Sequence, residues 1–358
     1  MTRILIASIL ISMIAVALRA DELYFPGDTW DTVAPADVNW NGRKIDRAID
    51  FAMKRRSSSV VILHGGKIMA ERHSEVKDAS PRYRFGVTGK SAAGHVIEDV
   101  ASAQKSVVSF LVGIAIDKGL IAIDDPVDKH LGTGWSRATE TQESAITVRH
   151  LISMTSGLDE KLQYTEPPGS KWMYNSSAYA KSLSCLEAAS GLTANELTSQ
   201  WLLQKVQMND SRWTTRQFAK LVNKEANANG FATTARDLAR FGLLVQAQGK
   251  WKDSVVLADK AYLKDSISPS QKLKPSYGYL WWLNDQAVVD RTGKRAARPM
   301  IPTAPADLVA AKGALGRKCY VVPSLNLVVT RLGDDPNAPG RKNFDTEFWR
   351  LLMESQVQ

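Results

Sequence analysis

The chain has 358 residues, of which 44% are hydrophobic and 23% are charged, and its formal net charge is +9. This composition is typical of a globular protein with a large core and excludes a disordered chain or a repeat array. The basic residues are scattered, with Lys54-Arg55-Arg56 as their longest run, and no aromatic residues interleave with them. A nucleic-acid-binding surface is therefore not expected.

The chain opens on a short apolar segment. Residues 4–17 are mostly apolar, follow the single basic residue Arg3 and lead to small residues at Ala17 and Ala20. This pattern predicts a secretory signal peptide over residues 1–20 and an exported protein, periplasmic or secreted. An uncleaved N-terminal anchor is the alternative, and it would be the only membrane contact expected.

Helical and strand patterns then alternate along the chain. Helical spacing of apolar residues predicts a helix over 40–54, and two apolar runs around Gly65-Gly66 predict a β-hairpin over 59–71. From 119 to about 223 the pattern is mostly helical, and a further helix begins after an N-cap Thr234. Further helices and late strands are predicted at 147–154, 177–190, 277–283, 308–313, 318–322, 327–332 and 345–353.

Strands near both ends and helices in the middle indicate an α+β fold class. We expect an antiparallel sheet flanked by helices and built from both termini, with an inserted, mostly helical lobe. Residues 21–358 are predicted to form a single domain. Its α+β lobe would cover about 21–118 and 225–358, and its helical lobe about 119–224.

Cysteine and histidine usage bounds the chemistry. Cys185 and Cys319 both lie in apolar contexts, which favours two free buried thiols, although a single disulfide would be possible in an oxidising compartment. The five histidines have no metal-ligand spacing, so no metal site is predicted.

The most informative motif is Ser102-Ala103-Gln104-Lys105, directly before the apolar run 107–116. Residues three apart lie above one another on a helix, so the Lys105 amine can reach the Ser102 hydroxyl. A serine hydroxyl is a weak nucleophile until a neighbouring base takes its proton. An apolar setting and the positive end of the helix dipole both disfavour an ammonium group, and we expect the pKa of Lys105 to fall toward neutrality.

The spacing of Ser102 and Lys105 does not by itself show that they are catalytic. Ser74 and Lys77 repeat it in a polar stretch with no apolar helix behind them, where solvated surface is the simpler interpretation. A polar start to a core helix would also explain Ser102 and Lys105.

Further segments give the motif a context. They are residues 61–68, 102–106, 118–127, 147–158, 168–175, 234–242 and 277–282. In this order they resemble the β-lactamase-related serine hydrolases, which include class C β-lactamases, penicillin-binding proteins, family VIII carboxylesterases and 6-aminohexanoate-dimer hydrolase-like enzymes. The resemblance implies a β-lactamase/transpeptidase-like fold over nearly the whole mature chain.

By this resemblance Tyr174 is the second base and proton shuttle. A phenol held near Lys105 is expected to lose its proton more easily. Many relatives carry Tyr-Ser-Asn, whereas this chain has Tyr174-Asn175-Ser176. Either Asn175 reaches the substrate from a remodelled loop, or Ser176 substitutes with a smaller hydroxyl.

The family's Lys-Thr-Gly strand motif matches Ala311-Lys312-Gly313. Alanine at its first position puts efficient β-lactam hydrolysis in doubt, and Lys312 should point away from the face of Ala311. Gly313 is expected to permit close approach of the substrate. The resemblance places the oxyanion hole at the backbone N–H groups of Ser102 and Ala314.

A basic residue follows this motif at position 317 and bears on the positive charge that is missing at Ala311. Arg317 could supply some of the missing positive charge, and a solvated turn arginine is the alternative.

Together these features predict an exported serine hydrolase that forms an acyl-enzyme on Ser102 and needs no cofactor. The short loop 159–167 suggests an open cleft for a small-molecule or peptide ester or amide. The alternatives are β-lactamase or D-alanyl-D-alanine carboxypeptidase-like activity, and a non-catalytic cell-wall binding protein on the same fold. We expect a monomer.

Overall fold

A computed structural model describes residues 23–216, 228–285, 288–289, 295–296, 299–337 and 343–357. The predicted signal peptide lies outside the described residues. The α-helices are α1 Gly42–Lys54, α2 Pro81–Gly86, α3 Gln104–Asp117, α4 Asp128–Leu131, α5 Glu140–Glu143, α6 Val148–Ile152, α7 Ser176–Ser190, α8 Ala194–Thr198, α9 Gln204–Val206, α10 Ala235–Gln246, α11 Lys260–Ser266 and α12 Phe344–Met353.

The strands are β1 Ser57–His64, β2 Lys67–His73, β3 Val87–Lys90, β4 Val96–Asp99, β5 Arg212–Thr215, β6 Asn229–Thr233, β7 Lys250–Trp251, β8 Ser254–Val255, β9 Trp282–Leu283, β10 Val288–Val289, β11 Arg295–Ala296, β12 Val309–Lys312, β13 Lys318–Val322 and β14 Leu327–Gly333. Short 3₁₀ turns at Ala101–Ala103 and Ala314–Gly316 matter for the site described below.

The main sheet joins both ends of the chain. Within the described part of the chain it has six antiparallel strands in the order β2-β1-β14-β13-β12-β9. Alternate side chains enter two cores: Val328 packs on the side of α3 and α10, and Val329 packs on the side of α1 and α12. Because both faces are buried, β1 and β14 each contain a continuous apolar run, at residues 60–63 and 327–329. The predicted α+β class is confirmed.

Helix α3 runs through the larger core. All its residues from Gln104 to Ala115 are buried, and Gly119 follows it with a φ of +66°, which suits a glycine after a helix. A satellite core that includes Trp135 and Leu158 lies under the helices of the middle segment. The proposed lobe boundaries stay a prediction.

Two local predictions need correction. Residues 277–283 are a strand only at Trp282–Leu283, because Leu280 has a φ of +63° and a Cβ on Gly278 would overlap the Ser266 carbonyl. A second sheet, in the order β3-β4-β6-β5, was not predicted; its strands are short, and its β4–β6 pair joins segments that are distant in sequence. This sheet leads directly into the candidate site.

Candidate active site

Ser102 lies in the 3₁₀ turn between β4 and α3. The preceding Ala101 has a φ of +51°, and its N–H donates to Asp99 Oδ1 at 2.8 Å. A left-handed alanine costs about 1 kcal/mol, and the Asp99 contact helps to hold it. This sharp change of direction leaves Ser102 half-buried, just before the N-terminal end of α3.

Lys105 is directly beneath this serine. Its side chain is buried, with the residue 4% exposed, and Nζ lies 3.4 Å from Ser102 Oγ and 3.3 Å from Ser176 Oγ. Burial, assisted by the charge of Arg216, lowers the pKa of Lys105 to about 7, while Glu160 acts in the opposite direction. A neutral amine, able to accept the serine proton, is therefore well populated near pH 7.

Tyr174 approaches the same serine from the loop before α7. Its hydroxyl interacts with Ser102 by a hydrogen bond, and its ring centroid lies 4.8 Å from Lys105 Nζ. The expectation of an easily ionised phenol is wrong: burial raises the pKa of Tyr174, and this outweighs the Ser102 contact. Tyr174 therefore stays protonated at neutral pH and can act as a proton donor.

The open question at positions 175 and 176 has a structural answer. Asn175 is 1% exposed; its Oδ1 accepts the N–H groups of Ser177 and Ala178, and its Nδ2 donates to Leu158 and Asp159 carbonyls. It caps α7 and cannot face a substrate, which corrects its assignment as a binding residue. The side chain that reaches the site is Ser176, through Lys105.

The end of β12 packs on the nucleophile turn. A Cβ on Gly313 would overlap the Val100 carbonyl oxygen and lie 3.1 Å from the Ala103 nitrogen. The glycine is thus required by backbone packing, and the expected close approach of the substrate stays a prediction. Among the described residues, the backbone N–H groups of Ser102 and Ala314 have no acceptor, so both remain available as donors.

Neither Lys312 nor Arg317 supplies the positive charge that is missing at Ala311. Ala311 is fully buried in the core, and Lys312 lies on the opposite face, with Nζ 3.6 Å from an Asp345 oxygen. Arg317 is 3% exposed and pairs with Glu98 at 2.6 Å. It is neither a solvated turn residue nor a free cation in the cleft, because the buried carboxylate holds it.

Tyr174 is part of a cluster of four aromatic rings, the aromatic wall. We use this name for Trp172, Tyr174, Tyr277 and Trp282, whose ring centroids lie 4.9 to 6.5 Å from one another. Tyr277 is buried, whereas Trp172 and Trp282 are partly exposed. Such rings offer a rigid apolar surface to a ligand.

Sequence reasoning missed several groups around Lys105. Arg216 pairs with Asp99 at 2.6 Å and donates to Gln104 Oε1 at 2.7 Å. Glu160 accepts the Ser176 N–H at 3.0 Å. Gln104 lies within the Ser102–Lys105 motif and could have been considered, but no sequence signal places Arg216 or Glu160 near Lys105.

Within the part of the chain described, no cluster of three or more His, Cys, Asp or Glu residues is arranged to hold a metal ion. Over the same residues, none of the helices has the length and apolarity that a membrane span needs.

Comparison with known proteins decides the family. The profile of the Beta-lactamase family matches residues 45–352. The chain belongs to the Beta-lactamase family. This Beta-lactamase family member is also 22% identical over 330 residues to an uncharacterized protein of Alkalihalophilus pseudofirmus, with 85% of this chain and 90% of the relative covered.

Solved structures show the same fold. A Bacillus anthracis protein assigned as a 6-aminohexanoate-dimer hydrolase has a TM-score of 0.65 at 14% identity, covering 93% of this chain and 87% of the other. A Bacteroides dorei protein assigned as a β-lactamase has 0.64 at 17%, covering 89% and 99%. EstCE1, a hydrolase with promiscuous acyltransferase activity, has 0.60 at 14%, covering 87% and 97%.

Proposed function

We propose that this Beta-lactamase family member is an exported, monomeric serine hydrolase that forms an acyl-enzyme on Ser102. The observation that carries the proposal is the 3.4 Å approach of Lys105 Nζ to Ser102 Oγ, at a lysine whose pKa is about 7. A half-buried serine beside a buried lysine of lowered pKa is typical of a catalytic nucleophile and its base.

The reaction follows from these groups. Neutral Lys105 takes the proton of Ser102 as Oγ attacks the carbonyl carbon, and the N–H groups of Ser102 and Ala314 receive the developing oxyanion. As the bond to the leaving group breaks, the Tyr174 hydroxyl gives it a proton, and the Lys105 ammonium restores the phenol. Water then attacks the ester on Ser102, with Lys105 again as base, and the serine regains its proton.

We infer that the substrate is an ester or amide without an essential carboxylate beside the scissile bond. Ala311 carries no charge, Lys312 lies beside Asp345, and Arg317 is held by Glu98, so none of the three offers a free cation to such a group. The aromatic wall favours an apolar acyl chain. The solved structures named above as a 6-aminohexanoate-dimer hydrolase and a hydrolase with acyltransferase activity are in keeping with this class.

Three substrates test the proposal. The mature protein should hydrolyse a p-nitrophenyl ester with a kcat/KM at least about a hundredfold above that for nitrocefin or a D-alanyl-D-alanine peptide, and Ser102→Ala should abolish turnover. Faster β-lactam or peptide turnover would contradict the substrate class. A folded protein inactive on all three would favour a binding protein.

A further inference from the structure

A buried ion pair connects the two segments that carry the proposed oxyanion donors. Glu98 is fully buried and Arg317 is 3% exposed, with Arg317 Nε donating to Glu98 Oε2 at 2.6 Å. Glu98 is in β4, four residues before Ser102, and Arg317 follows Ala314 by three residues. The pair therefore bridges the nucleophile turn and the turn after β12.

The carboxylate end is fixed by the main sheet and by α2. Glu98 Oε1 accepts Ser58 Oγ at 2.6 Å and the Tyr83 hydroxyl at 3.4 Å, while Oε2 also accepts the Gly333 N–H at 3.2 Å. With these donors in β1, α2 and β14, the Glu98 carboxylate cannot move without disturbing all three elements.

The arginine end is part of a closed turn. The Gly313 N–H donates to the Arg317 carbonyl at 2.8 Å, so residues 313–317 form one hydrogen-bonded unit around Ala314. Arg331, 1% exposed, donates to the Leu315 carbonyl at 2.6 Å, and Leu315 has a φ of +61°. Any shift of Arg317 would be transmitted to the Ala314 N–H.

Stability alone explains this pair poorly. Removing two charges from water costs several kcal/mol per ion, and apolar residues of the same volume often serve as well. One guanidinium nitrogen of Arg317, Nη2, is buried without a hydrogen-bond partner among the described residues, which adds to the cost.

We propose that Glu98 and Arg317 are positioning residues that set the spacing between the Ser102 and Ala314 N–H groups. The inference rests on the proposed function, because it presumes an oxyanion formed at Ser102. Donors of this kind must be held within about 0.5 Å of their productive positions. A pair anchored to three other elements provides that rigidity.

The test compares two double variants. Glu98→Gln with Arg317→Met removes the bridging pair without leaving an unpaired buried charge. The matched control is Lys318→Met with Asp345→Asn, which removes another buried ion pair. Lys318 directly follows Arg317 and is the first residue of β13, but its side chain points to the opposite face. Four quantities are measured: kcat and KM for a p-nitrophenyl ester, affinity for an alkylboronic acid, and the free energy of unfolding in urea.

A boronic acid becomes tetrahedral on the serine and places an oxygen where the oxyanion forms, so its affinity reports the donor geometry. We expect the Glu98/Arg317 variant to lose kcat by at least about tenfold, with KM within about twofold and boronate affinity reduced in parallel. The control should keep kcat and boronate affinity near the wild-type values.

Unchanged kcat and boronate affinity in the Glu98/Arg317 variant, or an equal loss in the control, would overturn the inference. If that variant does not fold, Arg317→Lys decides: a several-fold loss of kcat at unchanged KM supports the inference, and an unchanged kcat overturns it. A wild-type protein without ester turnover or boronate binding would instead contradict the proposed function, and the inference with it.

Discussion

Lys105 illustrates how a single side chain is tuned by its surroundings. Burial is the largest influence on its pKa, and two charges act on it in opposite directions: Arg216 lowers the value and Glu160 raises it. Glu160 reaches the site from the short loop 159–167, while Arg216 directly follows β5. The amine therefore lies at a balance point that substitution can shift either way.

The first prediction is a pH profile. Because only the neutral amine accepts a proton, kcat/KM should rise as pH increases through the Lys105 pKa of about 7. Glu160→Gln removes a charge that favours the ammonium, so the acidic limb should move to lower pH. Arg216→Gln should move it to higher pH. Ester hydrolysis followed from pH 5.5 to 9.5 measures the limb.

The two variants control each other, since each neutralises one charge near the same amine. Shifts in the same direction, or no shift in either, would show that another group governs the acidic limb.

At the scale of elements, Asn175 was expected to bind the substrate but caps helix α7. Asn175→Ala removes the acceptor for two N–H groups at the start of α7 and both buried amide donors. We expect a loss of about 2 kcal/mol in the free energy of unfolding, measured with urea. Asn175→Ser retains a capping oxygen and should lose less; equal stability of both variants and the wild type would contradict the cap.

The contact of β12 with the nucleophile turn gives another prediction. Gly313→Ala places a methyl group against the Val100 carbonyl, so the strand must move away from Ser102. We expect kcat for the ester to fall at least about tenfold, because the Ala314 N–H moves with the strand. Gly27→Ala is the control: its Cβ would meet nothing closer than 3.9 Å. An active Gly313→Ala enzyme would contradict the packing argument.

Elements with a strong local pattern were predictable from the sequence. The runs in β1, β13 and β14 are buried on both faces, and Thr234 caps α10 as expected. The β4 to β6 pairing was not predictable, because it joins short segments more than 100 residues apart. Similarly, the direction of Asn175 depends on the carbonyls of a separate loop, and the burial of Arg317 depends on Glu98.

For the whole molecule, the thiols test how tightly the fold is packed. Cys185 and Cys319 are both free and buried, as the sequence favoured; burial raises the pKa of Cys185 to about 12 and also raises that of Cys319. Neither thiol should react with a water-soluble disulfide reagent in the native protein, and both should react in 6 M guanidinium, a concentration well above the usual unfolding midpoints. Rapid native labelling would contradict this packing.

The N-terminal apolar segment leads to a prediction about the location of the protein. We propose that this segment directs export and is removed by cleavage after Ala17 or Ala20, so the exported protein should begin at Leu18 or Asp21. Intact mass of the protein recovered from outside the cytoplasm measures this start. A mass that still includes Met1 would favour the uncleaved anchor.

The central claim is an acyl-enzyme on Ser102, and covalent labelling tests it most directly. Intact mass of the mature protein after treatment with a fluorophosphonate should show one adduct per chain, located on Ser102 by peptide mapping. Ser102→Ala should show none. A folded wild-type protein that takes up no label, or a label that persists in Ser102→Ala, would contradict the account.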